Sequence, residues 1–187
     1  MKLKEYKLPK ESFIGGWFIP SNMCDKLINY YNKFEKNVIA GSNASNIVNK
    51  KFKDSLDLVI YKNNQDTEII EYLKHLQTVL NLYIKKYPEL NTNQRFEFYR
   101  ANIQKYPKKG GFKKWHNERT CNNKRVLTFM TYLTNIEKGG TEFLYQKLTT
   151  PSIKGLTLIW PVDFTHTHRS QICNKEKIIT TGWFIFI

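Results

Sequence analysis

Cysteine, acidic residues and long apolar runs are all scarce in this sequence, and each shortage excludes something. The three cysteines, Cys24, Cys121 and Cys173, are odd in number and widely spaced. They fit neither a disulfide framework nor a Cys-x-x-Cys metal site, so reduced thiols in a cytoplasm are expected. No apolar run approaches the roughly 18 residues that a membrane span needs. The opening stretch MKLKEYKLPKES has no apolar h-region, which argues for an unexported chain with no membrane partner. There is no internal repeat, low-complexity tract or linker, so the 187 residues are expected to form one domain, 1–187. Acid is outnumbered, with 16 Asp+Glu against 30 Lys+Arg, a net charge of +14. Such a field attracts nucleic acid, acidic proteins or anionic metabolites. The excess is mostly lysine dispersed among asparagines, without an arginine-rich block, so nucleic acid is not the favoured partner. One cluster, Lys108, Lys109, Lys113 and Lys114, runs up to His116.

What is present is ample material for a core: 41 % of residues are hydrophobic and 14 % aromatic. Phe13 to Ile19 (FIGGWFI) reads as a strand closed by Pro20, and Ser21 is a plausible cap for a helix through Met23, Leu27, Tyr30, Tyr31 and Phe34. Asn37 to Lys51 is polar and turn-rich, a loop, and Leu56 to Tyr61 follows as a strand. Asp66 or Thr67 can cap a second helix with Ile69, Ile70, Leu73, Leu76, Val79, Leu80, Tyr83 and Ile84 on one face, stopped at Tyr87-Pro88. From Arg95 the pattern changes to short β-rich runs: Phe96 to Tyr99, Asn102 to Tyr106, Val126 to Leu133, Thr141 to Tyr145, Leu156 to Pro161 and Ile178 to Ile187. Helices first and strands after predict an α+β fold, helices packed on an antiparallel barrel or sandwich.

The chemistry concentrates in His116-Asn117-Glu118. In an extended segment, residues two apart point to the same side, so one metal can touch both His116 and Glu118. A further ligand must come from another strand, and His166 and His168 are the distant histidines near a strand end, whereas His75 falls in the second helix. Two imidazoles and a carboxylate with open positions are what a non-haem Fe(II) oxygenase site requires. Asn117, Thr165 and Thr167 are near enough in sequence to orient the ligands.

The spacing resembles the Fe(II)- and 2-oxoglutarate-dependent dioxygenases, prolyl 4-hydroxylase-like branch. Tyr106 stands ten residues before His116 and Tyr132 sixteen after it, Gly139-Gly140-Thr141-Glu142-Phe143 follows, Lys177 lies nine after His168, and Trp183 closes the last strand. His166 competes for the distal position, with Lys175 at the same offset, yet Lys175 lies in a turn and Lys177 begins an apolar strand. The resemblance covers roughly Phe96 to the C-terminus. It implies a double-stranded β-helix (jelly roll), with N-terminal helices packed on one sheet, helical support over 20–90 and a catalytic barrel over 94–187. It implies Fe(II) on His116, Glu118 and His168, with glutamate where aspartate is commoner. A buried far carboxylate of 2-oxoglutarate needs a cation and donors, which Lys177, Tyr132 and Tyr106 would supply. Thr128, Met130 and Trp183 line the barrel, with co-substrate contact as a further reading. O2 is the second co-substrate and ascorbate an optional reductant. The implied reaction couples oxidative decarboxylation of 2-oxoglutarate to hydroxylation of a C–H bond, first of all in a prolyl residue of a peptide or protein. Nucleobase demethylation, hydroxylation of a free amino acid, and a non-catalytic cupin-like metal-binding module are the alternatives on the same fold.

Overall fold

The computed structural model describes residues 2–42, 47–90, 95–119 and 124–187. In chain order the elements are β1 (Lys4–Glu5), β2 (Gly15–Phe18), α1 (Ser21–Lys33), β3 (Ile39–Ala40), β4 (Lys53–Asp54), β5 (Leu56–Tyr61) and α2 (Thr67–Lys86). They continue with β6 (Phe96–Tyr106), β7 (Gly111–Phe112), β8 (Arg125–Tyr132), β9 (Ile136–Phe143), β10 (Leu148–Ser152), β11 (Leu156–Pro161), β12 (His168–Ser170) and β13 (Lys177–Phe186). The major sheet runs β1-β2-β11-β8-β13-β6-β5-β3, all pairs antiparallel. Opposite it lie β10-β9-β12 and the short β4-β7 pair. These two short sheets are joined where His116 bridges His168. This is the double-stranded β-helix, with two helices on the outside of the major sheet.

Residue parity explains both faces of that sheet. One face presents Ala101 and Ile103 of β6, Leu127 and Phe129 of β8, and Leu58 and Ile60 of β5, which pack with Leu27 and Tyr31 of α1 and Leu76, Val79 and Leu80 of α2. Burial of this apolar area is the main stabilising term for the helices. Within it Tyr72 places its hydroxyl 2.9 Å from Thr131 Oγ1, itself 2.9 Å from Thr157 Oγ1, so the polar atoms are mutually satisfied. The other face points into the barrel and carries Tyr106, Met130, Tyr132, Leu158, Trp160 and Ile179.

Several expectations need correction. Phe96 to Tyr99 and Asn102 to Tyr106 are one strand, β6, because pairing with β5 on one side and β13 on the other carries the ladder through Arg100-Ala101. Thr141 to Tyr145 is displaced: β9 ends at Phe143 and residues 144–147 turn. The expected loop Asn37 to Lys51 contains β3, which pairs with β5, while its residues 43–46 and Cys121 lie outside the described residues. Ser21 is the first helical residue rather than the cap, a place taken by Pro20. β10 went unrecognised because Pro151 interrupts the strand pattern. It is tolerated on an edge, at a register shift between Thr150 and Ser152. The first half, expected as helical support, also supplies β1, β2, β3 and β5 to the major sheet.

Gly140 marks the closest approach of β9 to β10, since a Cβ there would collide with the Thr150 carbonyl oxygen, part of the backbone. Gly140→Ala is therefore expected to destabilise the protein by about 1–3 kcal/mol, as overpacking does. Urea denaturation of the two forms measures the difference, and equal midpoints would show that the two strands separate without cost.

Candidate metal centre

Three polar side chains converge at one end of the barrel. The His116 N–H donates to the His168 carbonyl at 3.0 Å and the His168 N–H returns the bond at 2.8 Å, so the two histidines are cross-strand partners. The Glu118 N–H donates to the Val162 carbonyl at 3.0 Å, keeping the 116–118 segment extended beside the end of β11. His116 and Glu118 then share a side, and one donor atom each from His116, Glu118 and His168 lie within 4.8 Å of one another. Glu118 Oε1 is 3.6 Å from His116 Nε2 and 3.7 Å from His168 Nε2. Atoms bound at about 2.1 Å to a common ion are roughly 3.0–3.6 Å apart at angles of 90–120°, so little movement is needed to close the set.

Both imidazoles have their tautomer fixed by the backbone. His116 Nδ1 lies 3.0 Å from the Lys114 carbonyl and His168 Nδ1 2.8 Å from the His166 carbonyl. A carbonyl only accepts, so each Nδ1 carries the proton and each Nε2 turns its lone pair toward Glu118. Burial, with the neighbouring His116, holds His168 down at about 3, leaving it neutral and free to ligate at ordinary pH. The Phe112 ring stacks on His116 with centroids 3.5 Å apart, fixing its plane. Burial raises the Glu118 carboxyl, but His116, His168 and Arg125 outweigh it and hold Glu118 at about 2. Its second oxygen accepts the Trp183 indole N–H at 3.1 Å and faces the Arg125 guanidinium at 3.7 Å. The long glutamate thus reaches the imidazoles with one oxygen and its supporting donors with the other.

His166 is elsewhere. Its Nε2 is 3.0 Å from the Ser12 carbonyl and its Nδ1 3.0 Å from Thr165 Oγ1, which makes it a tie between the 3₁₀ turn after β11 and the N-terminal segment. Lys175 is exposed and His75 half-buried on α2. Thr165 bonds His166, Thr167 bonds the Phe164 carbonyl and Asn117 accepts from the Arg119 N–H, so the orienting partners expected of them are the backbone carbonyls instead.

A cavity of about 340 Å³ opens beside the triad. Its wall includes four cross-strand rungs of β6 and β13: Arg100 with Trp183, Asn102 with Thr181, Gln104 with Ile179, and Tyr106 with Lys177. All except Lys177 line the cavity, as do Met130 and Thr141. Lys177 and Tyr132 stand behind that lining. The Lys177 ammonium is 5.4 Å from the centre of the Tyr106 ring and donates to the Gly139 carbonyl at 2.7 Å. Burial lowers it from its usual value to about 8, and among the described residues no carboxylate pairs with it. The Tyr132 hydroxyl lies 2.8 Å from Thr141 Oγ1 and 3.0 Å from Thr150 Oγ1. Tyr106 donates to Gln104 Oε1 at 2.7 Å, while Gln104 donates to Asp57 at 2.9 Å, and Asp57 also holds Lys53 at 2.6 Å. Thr128 is fully buried, its Oγ1 has no hydrogen-bond partner among the described residues, and it stays outside the lining. Sequence reasoning missed Arg125, Phe112, Arg100, Asn102, Gln104 and Asp57. The alternation Arg100, Asn102, Gln104, Tyr106 was the available signal, concealed because β6 was read as two strands.

The profile of the 2OG-Fe(II) oxygenase superfamily matches residues 101–185, which hold β7 to β12, most of β6 and β13, and the whole triad. This segment belongs to that superfamily. Among solved structures, a Pseudomonas putida prolyl-4-hydroxylase superposes with TM-score 0.70 at 15 % identity, covering 92 % of this chain and 91 % of its own. A Trichoplax adhaerens prolyl hydroxylase, in complex with a hypoxia inducible factor oxygen degradation domain peptide fragment, gives 0.72 at 15 % identity over 90 % and 80 %. The viral collagen prolyl hydroxylase of Paramecium Bursaria Chlorella virus-1, as its 2OG complex, gives 0.67 at 19 % over 92 % and 95 %. No curated protein sequence matches the chain. At such identities the structural likeness speaks for the fold, which is that of prolyl 4-hydroxylases.

The superfamily matched by that segment implies Fe(II), 2-oxoglutarate and O2, and the donors present here fit such a metal. Two imidazoles presenting Nε2 and one ionised carboxylate on one side of a cavity leave the other side of an ion open. Because Trp183 fixes one Glu118 oxygen, Trp183→Phe is expected to weaken metal binding about 10–100-fold, the usual cost of losing such a partner. Calorimetric titration with Co(II) reads it; an unchanged affinity would assign Trp183 to packing alone.

Proposed function

We propose that this protein is a 2-oxoglutarate-dependent hydroxylase of prolyl residues in a peptide or protein, with His116, Glu118 and His168 as iron ligands and Lys177 as the anchor of the co-substrate. The observation that carries the co-substrate assignment is the buried Lys177 ammonium, without an anionic partner among the described residues. An isolated interior charge is costly, and a dicarboxylate whose tail reaches it would supply the missing anion. Tyr132, joined to the cavity wall through Thr141, and Tyr106 flank the same depth. The Tyr106 hydroxyl proton is directed at Gln104, so Tyr106 donates to the tail only once that hydroxyl rotates.

Iron with 2-oxoglutarate and O2 supplies the oxidising equivalent for hydroxylation. The chain's own part is binding, orientation and exclusion of water. Lys114 and His166 carbonyls hold the two imidazole N–H groups, Trp183 and Arg125 hold Glu118, and Met130, Trp160 and Ile179 form an apolar wall near the triad. Support for a polypeptide substrate comes from the fold shared with prolyl hydroxylases, one of them holding a peptide. The cavity also opens past Ile39, Ala40 and Tyr61 on the β3–β5 side, where a chain could lie. The chain acts as a single domain in which residues 94–187 carry the catalytic strands and the first half completes the major sheet, ascorbate serves as reductant, and the compartment is cytoplasmic. Among the described residues no helix is long and apolar enough to cross a membrane.

Incubation with Fe(II), ascorbate and 2-oxoglutarate should yield succinate and a one-oxygen mass gain on proline-containing peptides, both lost in His116→Ala. Hydroxylation of nucleobases or free amino acids instead would reject the prolyl assignment, and absence of succinate with every substrate would favour a binding module. The Lys177 charge adds a pH signature. Its value of about 8 means the free site is protonated below that pH and neutral above. Binding of the dianion then requires proton uptake, so 2-oxoglutarate affinity should fall by up to about tenfold per pH unit above 8. Lys177→Arg, charged throughout, should flatten the profile. A flat wild-type profile would remove Lys177 from the co-substrate site.

A further inference from the structure

Three arginines line the cavity, and they differ in what they face. Arg125 opposes Glu118, and Arg169 is paired to Glu142 at 2.6 Å. Arg100 has no carboxylate partner among the described residues, and its Nε, shielded from solvent, donates to nothing there. Its guanidinium lies 5.5 Å from the centre of the Trp183 ring, whose other neighbour is Arg125 at 3.5 Å. Both cations thus lie near one indole, and after burial the Arg100 charge is among the influences that lower Arg125. That indole donates to the metal-facing Glu118, so Arg100 is one side chain removed from the reacting centre.

Two residues along β6, on the same face, Asn102 is 5 % exposed and also lines the cavity, and its buried Oδ1 accepts no hydrogen bond among the described residues. Buried polar atoms are normally paired, and these two lack complementary things: Arg100 an acceptor, preferably anionic, and Asn102 a donor. Alternate residues of a strand are about 6.6 Å apart, a span that the carboxylate and a backbone N–H of a peptide can bridge.

We propose that Arg100 and Asn102 form a substrate subsite for a carboxylate of the peptide, held on the Arg100 guanidinium while a peptide N–H donates to Asn102 Oδ1. The target is accordingly a proline in acidic context. This rests on the peptide reading given above. A guanidinium and carboxylate form a charge-assisted, geometrically selective pair, and the +14 field of the chain draws acidic sequences toward the opening.

The test uses the full chain loaded with Zn(II), which is redox-inert, together with 2-oxoglutarate. Fluorescence anisotropy then follows labelled proline peptides that differ only in Glu or Gln beside the proline, each with a free or amidated C-terminus, and a single-stranded oligonucleotide. Glu peptides should bind at least about tenfold more tightly than Gln peptides. The ratio should fall to about one in Arg100→Gln, survive in part in Arg100→Lys, and shrink in Asn102→Asp, where the new charge repels the carboxylate. A preference confined to free C-termini supports the subsite and identifies the terminal carboxylate as its ligand. The proposal is overturned by equal binding of all peptides to wild type, by a ratio that survives Arg100→Gln, or by an oligonucleotide that outcompetes every peptide through Arg100. Parallel mass spectrometry with Fe(II) keeps the two readings apart: a Glu preference without any hydroxylation supports the subsite and counts against prolyl hydroxylation.

Discussion

The pair of backbone hydrogen bonds between His116 and His168 is the constraint on which the site depends. It is a single antiparallel bridge outside any longer ladder, yet it sets the two imidazoles side by side, with ring centroids 4.4 Å apart. Register does the rest. Once His116 faces the barrel, residue parity obliges Glu118 to face it too and Asn117 to face away. A slip of one residue in the 116–118 segment would turn both of its donors away from His168, so the neighbouring pairs of β12 with β9 and of β4 with β7 keep the chemistry in place by keeping the register.

Around that bridge the barrel is organised by where charge is allowed. Glu118 is surrounded by cations and donors and stays ionised, whereas His168, in apolar surroundings against Trp160 and Phe143, stays neutral. A metal cation needs both states at once. Deeper in, the Lys53–Asp57 pair is buried with its oxygens and protons shared among Ser55, Gln104 and the Ser42 carbonyl. Such a pair gives little net stability but fixes geometry; here it orients the Gln104 amide and, through it, the Tyr106 hydroxyl. Lys177 is the contrasting case, a buried cation that meets one carbonyl and, among the described residues, no carboxylate. The balanced pair fixes geometry within the scaffold, and the Lys177 cation meets only a neutral acceptor there.

Local pattern carried far in this chain where one face of an element is buried. β5 and β11 begin and end where alternation and turn residues place them, and α2 follows its apolar spacing, with Tyr72 joining the buried face and Ile70 half-exposed. Pattern failed where pairing overrode composition. β6 crosses Arg100-Ala101 because two neighbouring strands hold it, and β10 contains a proline that only an edge permits. The same failures hid Arg100 and Asn102, whose common face is evident only on an unbroken strand.

Sequence by itself determined the donor types, their spacing and the parity that makes His116 and Glu118 neighbours, since alternation is a property of any extended chain. It also placed Lys177, Ile179, Thr181 and Trp183 on one face of the last strand. The strand context of Lys177 favoured His168 over His166 from sequence, and only the tertiary structure shows what each imidazole meets: the Ser12 carbonyl for His166, Glu118 for His168. It likewise decided the partners of Glu118 and the isolation of the Lys177 and Arg100 charges. Those depend on strands far apart in the chain, and contact between distant segments follows from the packing of the whole sheet rather than from any local run of residues.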